Sequence, residues 1–384
     1  MDGIAGRTSA LNWIVQISVV ALVALWLFPT LGLLVSSFRT ADQISGSGWW
    51  GAMTASEQNL TLRTANPGDD GAQMLVDGVY SVQGQLFGDG SEAEISTWGT
   101  SSLRISEFAP GDTADLSDGE TLTVQADGAY IWTSPTEMTG RGQRIFVTAT
   151  TPPEFTLQNY ERVLFSGDST DGMSQAFFNT LTVTIPATII PIVIAAFAAY
   201  ALAWMDFPGR ALLIAAVVGL LVVPLQLALI PLLRLHLEIG IGKGYLGTWL
   251  AHTGFGLPLA IYLLRNYMVG LPRDIIENAK VDGATDFQIF TKIILPLSFP
   301  ALASFAIFQF LWTWNDLLVA KVFLIDATGE TTVMTNQIVE LLGTRGGNWE
   351  ILATAAFVSI AVPLAVFFAM QRYLVRGLLA GSVK

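Results

Sequence analysis

The stretch Gly270-Leu-Pro272-Arg-Asp-Ile-Ile-Glu277-Asn-Ala279-Lys-Val-Asp282-Gly283-Ala-Thr285-Asp-Phe287-Gln288-Ile-Phe290-Thr-Lys-Ile293-Ile294-Leu295-Pro296 lies between two long apolar runs. It is too polar to cross a membrane and too patterned to be a linker. Pro272 suits the first turn of a helix, where its missing N–H costs nothing. That helix runs to Asp282 and stops at Gly283, which can adopt the left-handed cap conformation. Thr285 and Gln288 stand three apart, the spacing of a capping box. The next helix then carries Phe287, Phe290, Ile293 and Ile294 on one face. Two short helices joined at a glycine corner make a rigid knob, and an exposed aromatic face on it needs a partner.

Around this knob the chain is built for a membrane. It has 384 residues, 52% apolar and 13% charged, against about 25% charged in an ordinary soluble domain. A spanning helix needs about 20 apolar residues. Six runs qualify: about 11–38, 175–204, 211–233, 245–267, 297–324 and 351–374. The first is too long for a signal peptide and no small-x-small cleavage site follows it, so it reads as a retained span. Prolines 186, 191, 224, 300 and 363 are tolerable inside a bundle. Six alanines between Ala195 and Ala203 allow close helix packing. With the N-terminus inside, the inner segments hold nine Lys and Arg and the outer segments four. The expected fold is therefore an all-α polytopic membrane protein with six transmembrane helices and both termini in the cytoplasm.

The charge is concentrated in one place. Of 31 acidic residues, 18 lie between Arg39 and Thr170, with six Arg and no Lys. Residues 41–153 read as a β-rich extracytoplasmic insertion between the first and second spans. Met74–Gly84, Glu94–Glu107, Thr121–Thr133 and Arg144–Thr151 are strand-like, with Gly, Asp and Pro turn signals between them. Trp49, Trp50, Trp98 and Trp132 suit either sugar stacking or a core. The expected domains are 1–40, with the first span; 41–153; and 154–384, with five spans and the loop 270–296. The acidity disfavours a nucleic-acid partner. The absence of cysteine removes disulfides and thiol chemistry.

The pattern Glu277-x-Ala279-x₃-Gly283-x₉-Ile293-x-Leu295-Pro296 resembles the EAA loop of permease subunits in binding-protein-dependent ABC importers, with Asn278 where the family usually has a second alanine. Phe155-Thr-Leu-x-Asn159-Tyr160, Ala198–Ala203 with Phe207-Pro-Gly-Arg210, Trp314-Asn315-Asp316 and Gln371-Arg-Tyr-x-Val-Arg-Gly377 resemble the carbohydrate, maltose-permease-like branch. The insertion is similar to that of extended α-glucoside permeases. The resemblance implies a bacterial inner-membrane subunit that pairs with a homologous second permease. It also implies an ATPase dimer as partner and a sugar delivered by an extracytoplasmic binding protein. It makes Glu277, Ala279, Asp282, Gly283, Phe287, Phe290, Ile293, Leu295 and Pro296 the ATPase-coupling residues.

This chain has no phosphate-binding loop of its own: Gly242-Lys243 has Leu237 and Gly244 where such a loop needs Gly and Ser or Thr. Neither a metal constellation nor a catalytic nucleophile is visible. ATP and Mg would thus sit on the separate ATPase. In the fifth span Gln309, Trp312 and Asp316 share a face at i, i+3 and i+7, with Asn315 beside it. An ionisable group at membrane depth is a functional candidate, so these four residues belong either to the translocation path or to the packing between subunits. His252 reads as a satisfied buried histidine. An ion-coupled carrier and a membrane receptor with an extracytoplasmic sensor remain as alternatives, though neither gives the loop 270–296 a task.

Overall fold

The structure, a computed structural model, describes residues 10–76, 78–88, 92–165, 173–344 and 348–380. It divides into two compact units, Met1–Glu161 with Gly347–Thr354, and Arg162–Gly346 with Ala355–Lys384.

The first unit opens with α1 (Ala10–Ser37), whose apolar side chains, Leu25 and Trp26 among them, stand exposed on the helix. After the short α2 (Ala41–Gly46) come, among the described residues, eight antiparallel strands in two sheets. These are β1 (Ser56–Arg63), β2 (Gln73–Val76), β3 (Val79–Gln85), β4 (Glu94–Gly99), β5 (Thr113–Asp115), β6 (Thr121–Val124), β7 (Ala129–Ser134) and β8 (Arg144–Thr151). The orders are β1-β8-β4 and β2-β3-β7-β6-β5. Two of the expected strands are hairpins: Met74–Gly84 turns at Gly78, and Thr121–Thr133 turns at Gly128, both glycines having positive φ. Strand β1, paired along its whole length with β8, was not expected, because Ser56-Glu-Gln-Asn carries no apolar alternation. One core, including Val82, Trp98, Leu122, Trp132 and Val147, draws on both sheets.

The tryptophans resolve accordingly. Trp98 is fully buried, donates from Nε1 to the Ala109 carbonyl at 3.0 Å and packs on Phe108. Trp132 is buried with Nε1 on Glu120. Trp49 packs edge-on against Phe28 of α1, and only Trp50 is broadly exposed.

The insertion's two ends meet. Asn159 donates from Nδ2 to the carbonyls of Ser37 and Arg39 at 3.0 and 2.9 Å, and the Tyr160 and Ser37 hydroxyls are 2.7 Å apart. The Thr156 amide reaches the Phe38 carbonyl. Arg39, almost wholly buried, holds the Gln43 and Ser47 carbonyls.

The second unit is helical. The boundary falls within α3 (Gln158–Phe165), after which α4 (Ser174–Trp204) leads into α5 (Arg210–Leu220), α6 (Leu225–Glu238) and α7 (Tyr245–Val269). Next come α8 (Arg273–Val281), α9 (Asp286–Ile289), a π-turn at Phe290–Ile294, α10 (Leu295–Leu297), α11 (Phe299–Trp314) and α12 (Leu318–Phe323). The last two are α13 (Met334–Thr344) and α14 (Trp349–Ala380). Helix α14 enters the first unit at its start, with Thr354 donating to the Ser37 carbonyl.

Among the described residues, Leu11–Ser37, Ser174–Trp204 and Trp349–Tyr373 are long and apolar enough to cross a membrane. The expected unbroken spans 211–233 and 297–324 require correction. The first is the pair α5 and α6, bent by 110° ahead of Pro224, which begins α6 as its N-cap. In the second, α11 follows its preceding segment at 69° and ends at Trp314. Helix α7 has 25 residues, as expected for 245–267, but His252, Arg265 and Asn266 make it less apolar than the other three.

Trp98→Ala removes the largest fully buried side chain of the β module and should cost about 3–5 kcal/mol of its stability, while Trp50→Ala should cost almost nothing. Thermal unfolding followed by protease sensitivity of residues 41–153 distinguishes the two.

Candidate functional site

The loop 270–296 folds as two helices around a glycine corner. Pro272 is the N-cap of α8, one residue ahead of its expected place, and Asp282 is the C-cap. Gly283 has φ of 81°, its N–H reaches the Lys280 carbonyl at 3.0 Å, and the Ala284 N–H reaches the Ala279 carbonyl at 2.9 Å. These two bonds form the Schellman closure of a helix. Thr285 begins α9 with a complete capping box: Gln288 N donates to Thr285 Oγ1 at 3.3 Å, and Thr285 N donates to Gln288 Oε1 at 2.9 Å.

The knob is rooted in the bundle. Ile276 and Ala279 from α8, and Ile289, Phe290 and Ile294 from the following turn, share one buried cluster with Ala195, Ala196, Ala199 and Ala203 of α4 and Leu264 and Met268 of α7. The Phe290 ring lies 4.6 Å from Phe197 and 5.3 Å from Tyr200, and Tyr200 Oη donates to Asp286 Oδ1 at 3.3 Å. The alanine run thus supplies the flat surface against which the loop packs.

This division corrects the expected exposed aromatic face. Phe287 is 66% exposed, whereas Phe290 is 3% exposed, and Ile293 is half-buried. The cause is packing: Phe287 stands on the open first turn of α9, whereas Phe290, one turn on, is covered by Phe197 and Tyr200 of α4. Of the nine loop residues singled out from sequence, Glu277, Asp282, Gly283, Phe287 and Pro296 are exposed; Ile293 and Leu295 are half-buried, and Ala279 and Phe290 are buried. Ile275 and Val281 of α8 are also exposed apolar residues of the loop.

Sequence reasoning missed the supports beneath the loop. Arg210 donates from Nε and Nη2 to the Leu202 and Ala203 carbonyls, both at 3.0 Å, and pairs with Asp206 at 2.9 Å. It closes the C-terminal end of α4, where a cation also meets the negative end of the helix dipole. The local signal was Pro208-Gly209-Arg210, with Gly209 at positive φ.

The four residues near the end of α11 part company. Gln309 is fully buried, with Nε2 donating to the Ala187 carbonyl at 3.2 Å. Trp312 and Asn315 are exposed, and Asn315 donates from Nδ2 back to Leu311. Asp316 lies beyond the helix, where Oδ2 accepts from the amides of Val319 and Ala320 at 2.9 and 3.2 Å and so starts α12. The expected shared face therefore ends at Trp314, whose Nε1 donates to the Ser359 carbonyl. His252 is buried with Nε2 lacking a hydrogen-bond partner, 3.8 Å from Asp316 Oδ2, so it is not the satisfied histidine expected.

The model of the binding-protein-dependent transport system inner membrane component matches residues 164–379. The chain is 61% identical over 384 residues to the alpha-glucoside transport system permease protein AglG of Rhizobium meliloti (strain 1021), spanning 98% of each. It is 59% identical over 231 residues to the osmoprotective compounds uptake permease protein GgtD of Synechocystis sp., covering 60% of this chain and 76% of that one. Among solved structures it is similar to a chain of a bacterial ABC transporter involved in the import of the acidic polysaccharide alginate. That match has 22% identity and a TM-score of 0.48, covering 58% of this chain and 81% of that one. The chain belongs to the family of binding-protein-dependent transport system inner membrane components. It is accordingly a multi-pass permease of an ABC importer, and the ion-coupled carrier and receptor alternatives fall away.

Phe290→Ala should lower stability by about 3–5 kcal/mol through the cavity it leaves, whereas Phe287→Ala should leave it unchanged. Thermal denaturation of the purified chain in lipid nanodiscs checks both.

Proposed function

We propose that this chain is one of two homologous permease subunits in an ATP-driven importer of α-glucosides or related oligosaccharides. The observation that carries the proposal is the rooted knob at 270–296, together with a likeness to an alpha-glucoside permease that runs through the β-rich insertion as well as the bundle. A separate ATPase dimer binds ATP and Mg and receives the knob. An extracytoplasmic sugar-binding protein delivers the sugar.

The mechanism follows from how the knob is held. Its exposed surface combines Glu277 with apolar Ile275, Val281 and Phe287, a mixture suited to a cleft with an apolar floor and basic rim. Its inner surface is packed against α4 and α7. Closure of the ATPase dimer on ATP therefore displaces the knob as a body, and the displacement reaches the spans through the Phe290 contacts. Asn315 and Asp316 mark a helix break near the outer surface, where α11 and α12 can change their angle. Residues Gln309 and Trp312 lie on the span that would carry this motion.

In the membrane we assign six passes: α1, α4, the bent pair α5 and α6, α7, α11 and α14. The excess of Lys and Arg in the inner segments supports both termini in the cytoplasm. The same orientation puts the β module outside, where its acidic surface is available to the binding protein.

Glu277→Lys reverses a charge at the docking surface and should weaken ATPase association about tenfold or more. Gly283→Trp should act by a different route, since any Cβ in the left-handed corner costs about 1–2 kcal/mol and reshapes the knob. Both variants should lose co-purifying ATPase and α-glucoside uptake while remaining in the membrane. Full retention of both properties would contradict the coupling role. Deleting residues 47–150, with the Ser37–Asn159 closure kept, should reduce uptake and leave ATPase association intact. Unchanged uptake would remove the module from the transport cycle.

A further inference from the structure

Most helical threonines here follow one rule, and among the described residues three neighbouring exceptions are left without any partner. Thr180, Thr182, Thr188, Thr248, Thr291 and Thr354 each donate the hydroxyl to the carbonyl four residues back, at 2.7–2.9 Å. Thr184, Thr253 and Thr313 do not, and the Oγ1 of each is buried without a partner.

The three exceptions lie at one level of the bundle. Gln309 marks that level's lower edge: its Nε2 is on Ala187 of α4, and its amide lies against Gly256 of α7, where a Cβ would meet Oε1 at 2.7 Å. Thr184 is three residues before Ala187, and Thr253 is three before Gly256. Thr313 is four after Gln309, on a helix running the opposite way. Pairings of Tyr245 with Asn179 and of Arg265 with Leu202 show that α4 and α7 run in parallel. The rings of Phe177 and Trp314 are in contact, and so are those of Phe197 and Phe290, so the segment containing α11 is antiparallel to α4. All three threonines therefore sit about one turn, 5.4 Å, toward the Asp316 end from Gln309. Gln309 Oε1 is itself buried and unpartnered, as is His252 Nε2, the next group along.

Among the described residues, no protein contact above or below this level reaches the four atoms of Gln309 and the threonines; Ser298 Oγ and Trp204 Nε1 nearer the knob and His236 Nδ1 on α6 are also buried without a partner. Above it, Asn179 bonds to Tyr245 Oη and to the Glu330 and Thr332 carbonyls. Below it lies the apolar cluster beneath the knob. Polar groups isolated in this way need a small partner that both donates and accepts, and a water bound by two to four polar atoms meets that need.

We propose that Gln309 Oε1 and the hydroxyls of Thr184, Thr253 and Thr313 form a buried hydration site that holds ordered water between α4, α7 and α11. A wet contact re-forms its hydrogen bonds after a small shift, whereas interlocked apolar side chains must first separate. The site is thus a bearing for α11, the helix to which the knob is joined through the π-turn. That consequence for transport rests on the function proposed above; the hydration site itself does not.

X-ray radiolytic footprinting of the full chain in lipid nanodiscs tests the site without ATPase, binding protein or sugar. His252 and Phe290 are each 3% exposed, so bulk water reaches neither. The site predicts that His252 is oxidised through bound water while Phe290 is protected. It also predicts that T184V/T253V/T313V/Q309M loses the His252 oxidation while keeping the wild-type thermal midpoint or exceeding it. Protection of His252 equal to that of Phe290 in the wild type would overturn the site. Undiminished oxidation in the folded variant would overturn its assignment to these four residues.

Discussion

The packing of Phe290 against Phe197 and Tyr200 is the contact on which the rest of the functional architecture depends. A loop with the coupling role proposed for this one cannot be held only by its two chain ends. It needs a buried root, and here the root is one aromatic ring pressed against a helix whose alanines clear room for it. The π-turn at 290–294 is part of this device. It joins α9 to the helix that follows; Ile289, Phe290 and Ile294 are buried, and Phe287, one turn earlier than Phe290, is exposed. One segment thereby has two surfaces, one buried against the bundle and one exposed.

A second closure explains how the chain accommodates its insertion. The Asn159 amide and the Tyr160 hydroxyl hold the end of α1 together with the segment that returns from the β module. Because Ser37 and Asn159 are fixed to each other, the chain enters and leaves the insertion at one place. A module with its own two-sheet core can occupy that place without altering the order of the spans. The motif Phe155–Tyr160, identified only by resemblance in the sequence, has here a physical purpose as a clasp.

The knob was legible in the sequence because its signals are local. Pro272, Gly283 and the Thr285–Gln288 pair each fix backbone geometry within a few residues, and each stands within one residue of its expected role. The alanine run was legible as a packing surface for the same reason. The broken spans were not, because Pro224 and Ser298 look like the tolerated prolines and small residues of any bundled helix. Asp316 misled in another way. Its spacing from Gln309 implied a shared helical face, but the helix ends at Trp314, and the carboxylate is occupied by backbone amides of the next turn. Burial of Phe290 was equally hidden, since amphipathic periodicity identifies a face and does not say which of two neighbours covers it. Strand β1 escaped notice because its first half is polar and its order comes from pairing with β8, far away in the chain.

The native chain has no cysteine, so single cysteines can be placed on the knob without interference. The central claim is that the outer surface of the loop 270–296 docks on the ATPase while its inner surface belongs to the bundle. Crosslinking from Phe287→Cys, with Phe290→Cys as the inward-facing control, tests both halves in native membranes. The account predicts a covalent product with the ATPase from position 287 whose yield changes when ATP is added, and none from position 290. Equal products from both positions, or none from 287 with the ATPase present, would contradict it.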